Sequence, residues 1–182
     1  MKKKIYIGLG VVVILFVAYI GYEFATTKKH SPAETKETSF NGVDVKVVYC
    51  RPYKKGRLIF GEDKDDALVP YGKYWRLGAN EATEITFSKD VLFAGKSISA
   101  GSYWMYAVPN ATTWQVSLNS ELGKWGAMEP DYEKDVLKVD VPADNNVSET
   151  EQFTITFAND STSSNMTFAW DKTSVTVPIQ SK

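Results

Sequence analysis

Val43-Asp44-Val45-Lys46-Val47-Val48-Tyr49-Cys50 decides the fold class. Val43, Val45, Val47 and Tyr49 alternate with the charged Asp44 and Lys46. A period of two puts successive side chains on opposite faces of a strand, so one face of this segment is built for burial. Further along the chain, Phe153, Ile155 and Phe157 alternate with Thr154 and Thr156, and Val175, Val177 and Ile179 with Ser174 and Thr176. Pro178 in the last run predicts an edge strand or a strand end, because proline cannot donate to a ladder. Residues 84–87, 103–108, 114–119, 136–141 and 166–170 read the same way, rich in β-branched and aromatic residues.

Turn signals separate these runs. Ala94-Gly95-Lys96 and Ala100-Gly101-Ser102 are hairpin-type turns, and Asn145-Asn146 marks a loop. Helix is expected in the domain only as short pieces, at 62–67 and 131–135. About eight to ten short strands with close turns predict an all-β antiparallel sandwich or barrel. The sandwich, jelly-roll-like or related, is the expectation carried forward.

The chain has 182 residues, 43% apolar and 24% charged, which suits one globular domain and argues against disorder. With 5 Trp, 10 Tyr and 9 Phe it can fill a large core. Apart from Lys2, Lys3, Lys4 and Glu23, the chain holds 18 Lys/Arg and 21 Asp/Glu. That balance carries no basic block of the kind that displaces counterions from nucleic acid, so no nucleic-acid partner is expected.

At the N-terminus, Lys2, Lys3 and Lys4 precede 18 uncharged residues, 5–22. As a helix these would span about 27 Å, close to the hydrocarbon thickness of a bilayer. No usable signal-peptide site follows, since Phe16, Tyr19 and Glu23 occupy the positions where a small residue is required. The expectation is an uncleaved transmembrane signal anchor over 1–25, a polar tether over 26–39 and the β domain over 40–182. The lysines would stay cytoplasmic and the domain would be periplasmic or extracellular, a single-pass protein of the cell envelope.

Cys50 is the single cysteine and His30 the single histidine. No intramolecular disulfide can form, and Cys50 is expected to be buried as a small hydrophobe. One histidine in a polar segment offers neither a His-based metal site nor a usable catalytic triad. The acidic run Glu62-Asp63-Lys64-Asp65-Asp66 lacks the glycine and closing glutamate of a calcium loop, so a solvated loop is expected there. Trp104, Trp114, Trp125 and Trp170 are expected in the core or on a sheet face. No cofactor and no metal are expected.

Two stretches depart from plain strand and turn. One runs Tyr49-Cys50-Arg51-Pro52-Tyr53-Lys54-Lys55-Gly56-Arg57-Leu58-Ile59-Phe60-Gly61. The other runs Leu68-Val69-Pro70-Tyr71-Gly72-Lys73-Tyr74-Trp75-Arg76-Leu77-Gly78-Ala79-Asn80-Glu81-Ala82-Thr83. With Trp125-Gly126-Ala127, Tyr132, the Lys134-Asp135-Val136-Leu137 run and Trp170-Asp171-Lys172-Thr173, they resemble the bacterial family described as domain of unknown function 2911. The resemblance covers about residues 31–179. It implies an exported, mostly β domain and no particular activity.

The candidate ligand-binding residues are Arg51, Arg57, Trp75, Arg76, Asn80 and Glu81, with Tyr49 and Tyr71 beside them. Arginine forks take carboxylates or phosphates in a bidentate way and stack on aromatic rings. If the two stretches meet, they could form a pocket for a small anion or a sugar acid. The alternatives are structural anchoring, in which the guanidinium groups tie strand ends together, and catalysis, in which Glu81 is the one acid in the cluster placed to move a proton. A single acid, with no second acid or base in the pattern, is weak ground for an enzyme. A ligand-binding or interaction module is the leading expectation, ahead of an enzyme acting on an anionic substrate and of a structural envelope protein.

Overall fold

The computed structural model describes residues 2–182, except the side chains of 2–9, 11, 23–25, 27 and 28. Helix α1 (Lys2–His30) leads into strands β1 (Ala33–Phe40) and β2 (Val43–Cys50). Two short strands follow, β3 (Phe60–Gly61) and β4 (Val69–Pro70), then β5 (Thr83–Phe87), β6 (Val91–Phe93), β7 (Lys96–Ile98), β8 (Gly101–Val108) and β9 (Thr113–Asn119). The chain ends in four long strands, β10 (Asp135–Asp144), β11 (Thr150–Asn159), β12 (Ser163–Asp171) and β13 (Thr173–Ser181). The two helical pieces expected in the domain are single 3₁₀ turns, Asp63–Asp65 and Tyr132–Lys134.

The sheet is mostly antiparallel, as the alternation required. It is not two separate sheets. One hydrogen-bonded path runs β1-β2-β5-β8-β9-β10-β13-β12-β11, with β6 and β7 branching from β13. The sandwich expectation gives way to a single, nearly closed, barrel-like sheet. The cause lies in β10, which pairs with β9 up to Pro142 and then, through Ala143 and Asp144, with β13. A strand that changes partners carries the sheet around a corner. The free edges, β1 and β11, meet on the far side.

Two further expectations are corrected. Residues 26–39 are not a tether: the helix continues to His30, and Ala33–Phe40 pairs with β2 along its whole length. β1 was hidden because its inward positions are Glu34, Lys36 and Thr38 rather than valines, and only Phe40 is buried. Pro178 lies in neither an edge strand nor a strand end. β13 is flanked on both sides, and Pro178 falls in the gap where its partner changes from β10, at Val175, to β6, at Ile179. A missing N–H costs no ladder bond there.

The barrel interior holds one main core, which gathers the inward valines of β2 with Phe153, Ile155, Met166, Phe168 and Val177. Cys50 is buried, as expected, but on the face of β2 opposite Tyr49 and outside this core. One end is filled by aromatic rings: Trp75 stacks on Trp170 with centroids 5.9 Å apart and meets Trp114 edge-on at 5.5 Å. Phe60 and Phe153 complete the cluster. Trp75 is held there by two backbone bonds to Ala107, in the place beside β8 left free because β5 begins only at Thr83, opposite Met105.

Among the described residues, no helix is long and apolar enough to cross a membrane. One third of the uncharged run 5–22, residues 5–9 and 11, has its side chains outside the described residues. The transmembrane expectation is therefore not supported by the described part of α1. In that part, Val12, Val13, Ile14, Leu15, Phe16 and Val17 are all more than half exposed, and no strand covers them.

Candidate functional site

The two unusual stretches do meet, at the aromatic end of the barrel, and there the eight candidate residues separate into groups. Arg51 follows β2 directly and points across the seam between β1 and β11. Its Nε donates to the Phe153 carbonyl at 3.0 Å, and its Nη2 to Thr154 Oγ1 at 2.8 Å. The same Nε lies 3.0 Å from Glu34 Oε2. Tyr49 works beside it: its hydroxyl donates to Glu34 Oε2 at 2.7 Å and accepts the Ile155 N–H at 2.9 Å. The β1–β11 seam has no backbone ladder. These side chains therefore satisfy the edge groups of β11 that a neighbouring strand would have taken. Thr38 and Asn159 close the other end of the seam, with Asn159 Nδ2 donating to Thr38 Oγ1 at 2.7 Å.

The electrostatics agree. Burial alone would raise the Glu34 carboxyl, but the Tyr49 hydroxyl, Lys36 and Arg51 together hold it below its ordinary value. Burial, reinforced by the Glu34 charge, pushes the Tyr49 phenol well above its usual range. Glu34 becomes a partner only through the pairing of β1 with β2, which sets it opposite Tyr49.

Arg57, Trp75 and Arg76 form the second group. They line a cavity of about 410 Å³, together with His30, Ser31, Pro52, Tyr53, Lys55 and Leu68 among others. The Trp75–Trp170 stack is its floor. Three cations surround it, Lys55, Arg57 and Arg76, and no Asp or Glu is among the lining residues. None of the three forms an ion pair among the described residues. Arg57 is part-held by its own turn, with Nε donating to the Lys54 carbonyl at 2.9 Å and Nη2 to that of Tyr53. Arg76 donates only a long bond, 3.4 Å, to the Asn80 carbonyl.

Asn80 positions rather than lines. It adopts a left-handed backbone, φ +56°, receives the Gly126 N–H on its carbonyl and reaches Ser31 with its amide. Gly126 explains the Trp-Gly-Ala motif: a Cβ there would sit 2.8 Å from Arg76 Cδ, so only glycine lets the 123–127 loop lie on the arginine stem. Gly78, at φ +150°, does the same on the other side, where a Cβ would stand 2.6 Å from the Cys50 carbonyl oxygen.

Glu81 and Tyr71 are not in the cavity. Glu81 lines a neighbouring hollow of about 230 Å³ with Tyr49, Cys50 and Ala82. The Cys50 thiol donates to its Oε2 at 3.3 Å. Burial, then the Glu81 contact, pushes the thiol up to about 11. Tyr71 packs against the core near Gly61, whose carbonyl accepts its N–H. Lys55, Leu68, Trp170 and His30 are cavity residues that sequence reasoning did not select. Lys55 differs from its neighbour Lys54 in that Lys54 is held by Glu149 and Asp171, whereas the Lys55 side chain forms no ion pair among the described residues.

A nearly closed antiparallel sheet with a cationic, tryptophan-lined cavity at one end defines a β-barrel-like domain. The chain matches the model of a family of proteins of unknown function, DUF2911, over residues 31–179, and it belongs to that family. No curated protein and no solved structure matches it.

Proposed function

We propose that this domain is a ligand-binding module of the cell envelope, held at the membrane by α1, and that its ligand is a small anion taken up in the Arg57–Arg76 cavity. One observation carries the reading. Lys55, Arg57 and Arg76 line a partly apolar cavity with no Asp or Glu among its lining residues, and none of the three side chains forms an ion pair among the described residues. Cations left near one another without counter-charge repel, and an anion removes that repulsion while filling their open donors. The envelope placement rests on the three lysines before an 18-residue uncharged run and on the exposed apolar surface of α1. Glu81 stands outside the cavity, so the enzyme reading lacks an acid beside the proposed ligand. The structural reading fits Arg51 and Tyr49, to which no ligand is assigned.

Thermal unfolding of the full chain in detergent, against a panel of phosphates, dicarboxylates and sugar acids, tests this. A ligand at a hundredfold excess over its Kd stabilises by about 2.7 kcal/mol, which for a domain of this size raises Tm by roughly 5–10 °C. The shift should vanish in Lys55→Gln and Arg76→Gln. No shift across the panel, or an unchanged shift in both variants, would reject the anion site.

A further inference from the structure

We infer that the anion is a phosphate carried by a lipid headgroup of the leaflet next to the cavity. This rests on the anion-site reading above and adds the source of the anion. The first observation is position. His30, the last residue of α1, and Ser31 are themselves lining residues, so the cavity opens where the helix ends. The uncharged run stops at Tyr22, eight residues before His30, about 12 Å along a helix. The headgroup layer is roughly 5–8 Å deep on each side of the hydrocarbon. An anchored α1 therefore sets the mouth just beyond the headgroups, within the length of a lysine or arginine side chain, and any helix tilt brings it closer.

The second observation is the rim. Tyr53, Leu58 and Leu68 are 36%, 46% and 44% exposed, and all lie in the two segments that build the cavity. Tyr53 and Leu68 line it directly. Apolar side chains left in the open beside cations without ion pairs form the pattern of an interfacial surface: the cations meet the phosphate, and the apolar groups meet the glycerol and first acyl carbons of the lipid drawn up to the mouth. A site for a freely soluble anion needs the cations and has no use for the apolar rim. Arg57 and Arg76 suit phosphate, whose oxygens accept paired guanidinium N–H groups.

The experiment titrates the full chain, in zwitterionic detergent, with dihexanoyl phosphatidic acid, dihexanoyl phosphatidylcholine and glycerol phosphate, following Tm. The inference expects the anionic lipid to bind at least tenfold tighter than either of the others. Lys55→Gln and Arg76→Gln should each weaken that binding about tenfold. Leu58→Ser, on the rim but outside the cavity lining, should weaken the lipid and leave any glycerol phosphate binding unchanged. Glycerol phosphate binding as tightly as the lipid would make a soluble phosphate the ligand and overturn the lipid source. Phosphatidylcholine binding equally well would show that charge is not read, which also overturns it. If a sugar acid or dicarboxylate binds and no phosphate does, this inference falls and the anion site stands. If no anion binds at all, both fall.

Discussion

Arg51 and Arg76 come from the two similar-looking stretches, and the fold uses them in opposite ways. Arg51 is engaged by a carboxylate, a carbonyl and a hydroxyl across the β1–β11 seam. Arg76 has its stem pressed under Gly126 and its head beside a cavity, with one long bond to a carbonyl. The difference follows from what each faces. Arg51 faces an unpaired strand edge, which presents acceptors that must be satisfied. Arg76 faces an opening already floored by tryptophan, so its donors remain available. An arginine beside a sheet gap reads as a fastener, and one beside a hollow reads as a receptor.

The largest expected effect lies where both regions rest. Trp75→Ala should cost about 3–5 kcal/mol in urea unfolding, because Trp75 fills the barrel end as well as flooring the cavity. A loss under about 1 kcal/mol would mean that the ring is only a cavity wall. Next comes the direct contrast. Arg51→Met should lose about 2–3 kcal/mol, as expected for hydrogen bonds to a charged group. Equal losses in Arg51→Met and Arg76→Met would end the distinction between fastener and receptor.

The seam side should also respond to alkali. Cys50 and Tyr49 both have folded values raised above their unfolded ones. Their contribution is full below the unfolded values and lost as pH rises through the folded ones. Unfolding followed against pH should show stability falling from about pH 9 upward, and Cys50→Ala should remove the part between about pH 9 and the folded value of about 11. A decline that is the same in Cys50→Ala would sink that assignment. Arg76→Met keeps the packed stem and should change stability by no more than about 0.5 kcal/mol, measured by the same denaturation, while losing the ligand response. A larger loss would place Arg76 with the fasteners.

Much of the fold was legible. Every alternating run named from the sequence is a strand, and Ala94-Gly95 is the tight turn between β6 and β7, with both residues at positive φ. β1 was not legible, because a strand at an open seam does not need apolar residues at its inward positions. The candidate site was half legible. Arginine, glycine and aromatic residues marked the right stretches, and their type says that they bind acceptors. Type does not say whether the acceptor is the protein's own backbone or something from outside.

Residue chemistry and spacing by themselves determined the antiparallel β class, the burial of Cys50 and the two stretches that carry the site. These depend on periodicity and on local preference, which are properties of neighbours along the chain. Only the tertiary structure decided that the sheet curls into one nearly closed barrel, that Glu34 fastens its seam with Tyr49 and Arg51, and that Lys55, Arg57 and Arg76 share a cavity without an acid. Those outcomes turn on which distant edge comes to lie beside which side chain. That is set by the change of partner in β10 and by the close approaches at Gly78 and Gly126.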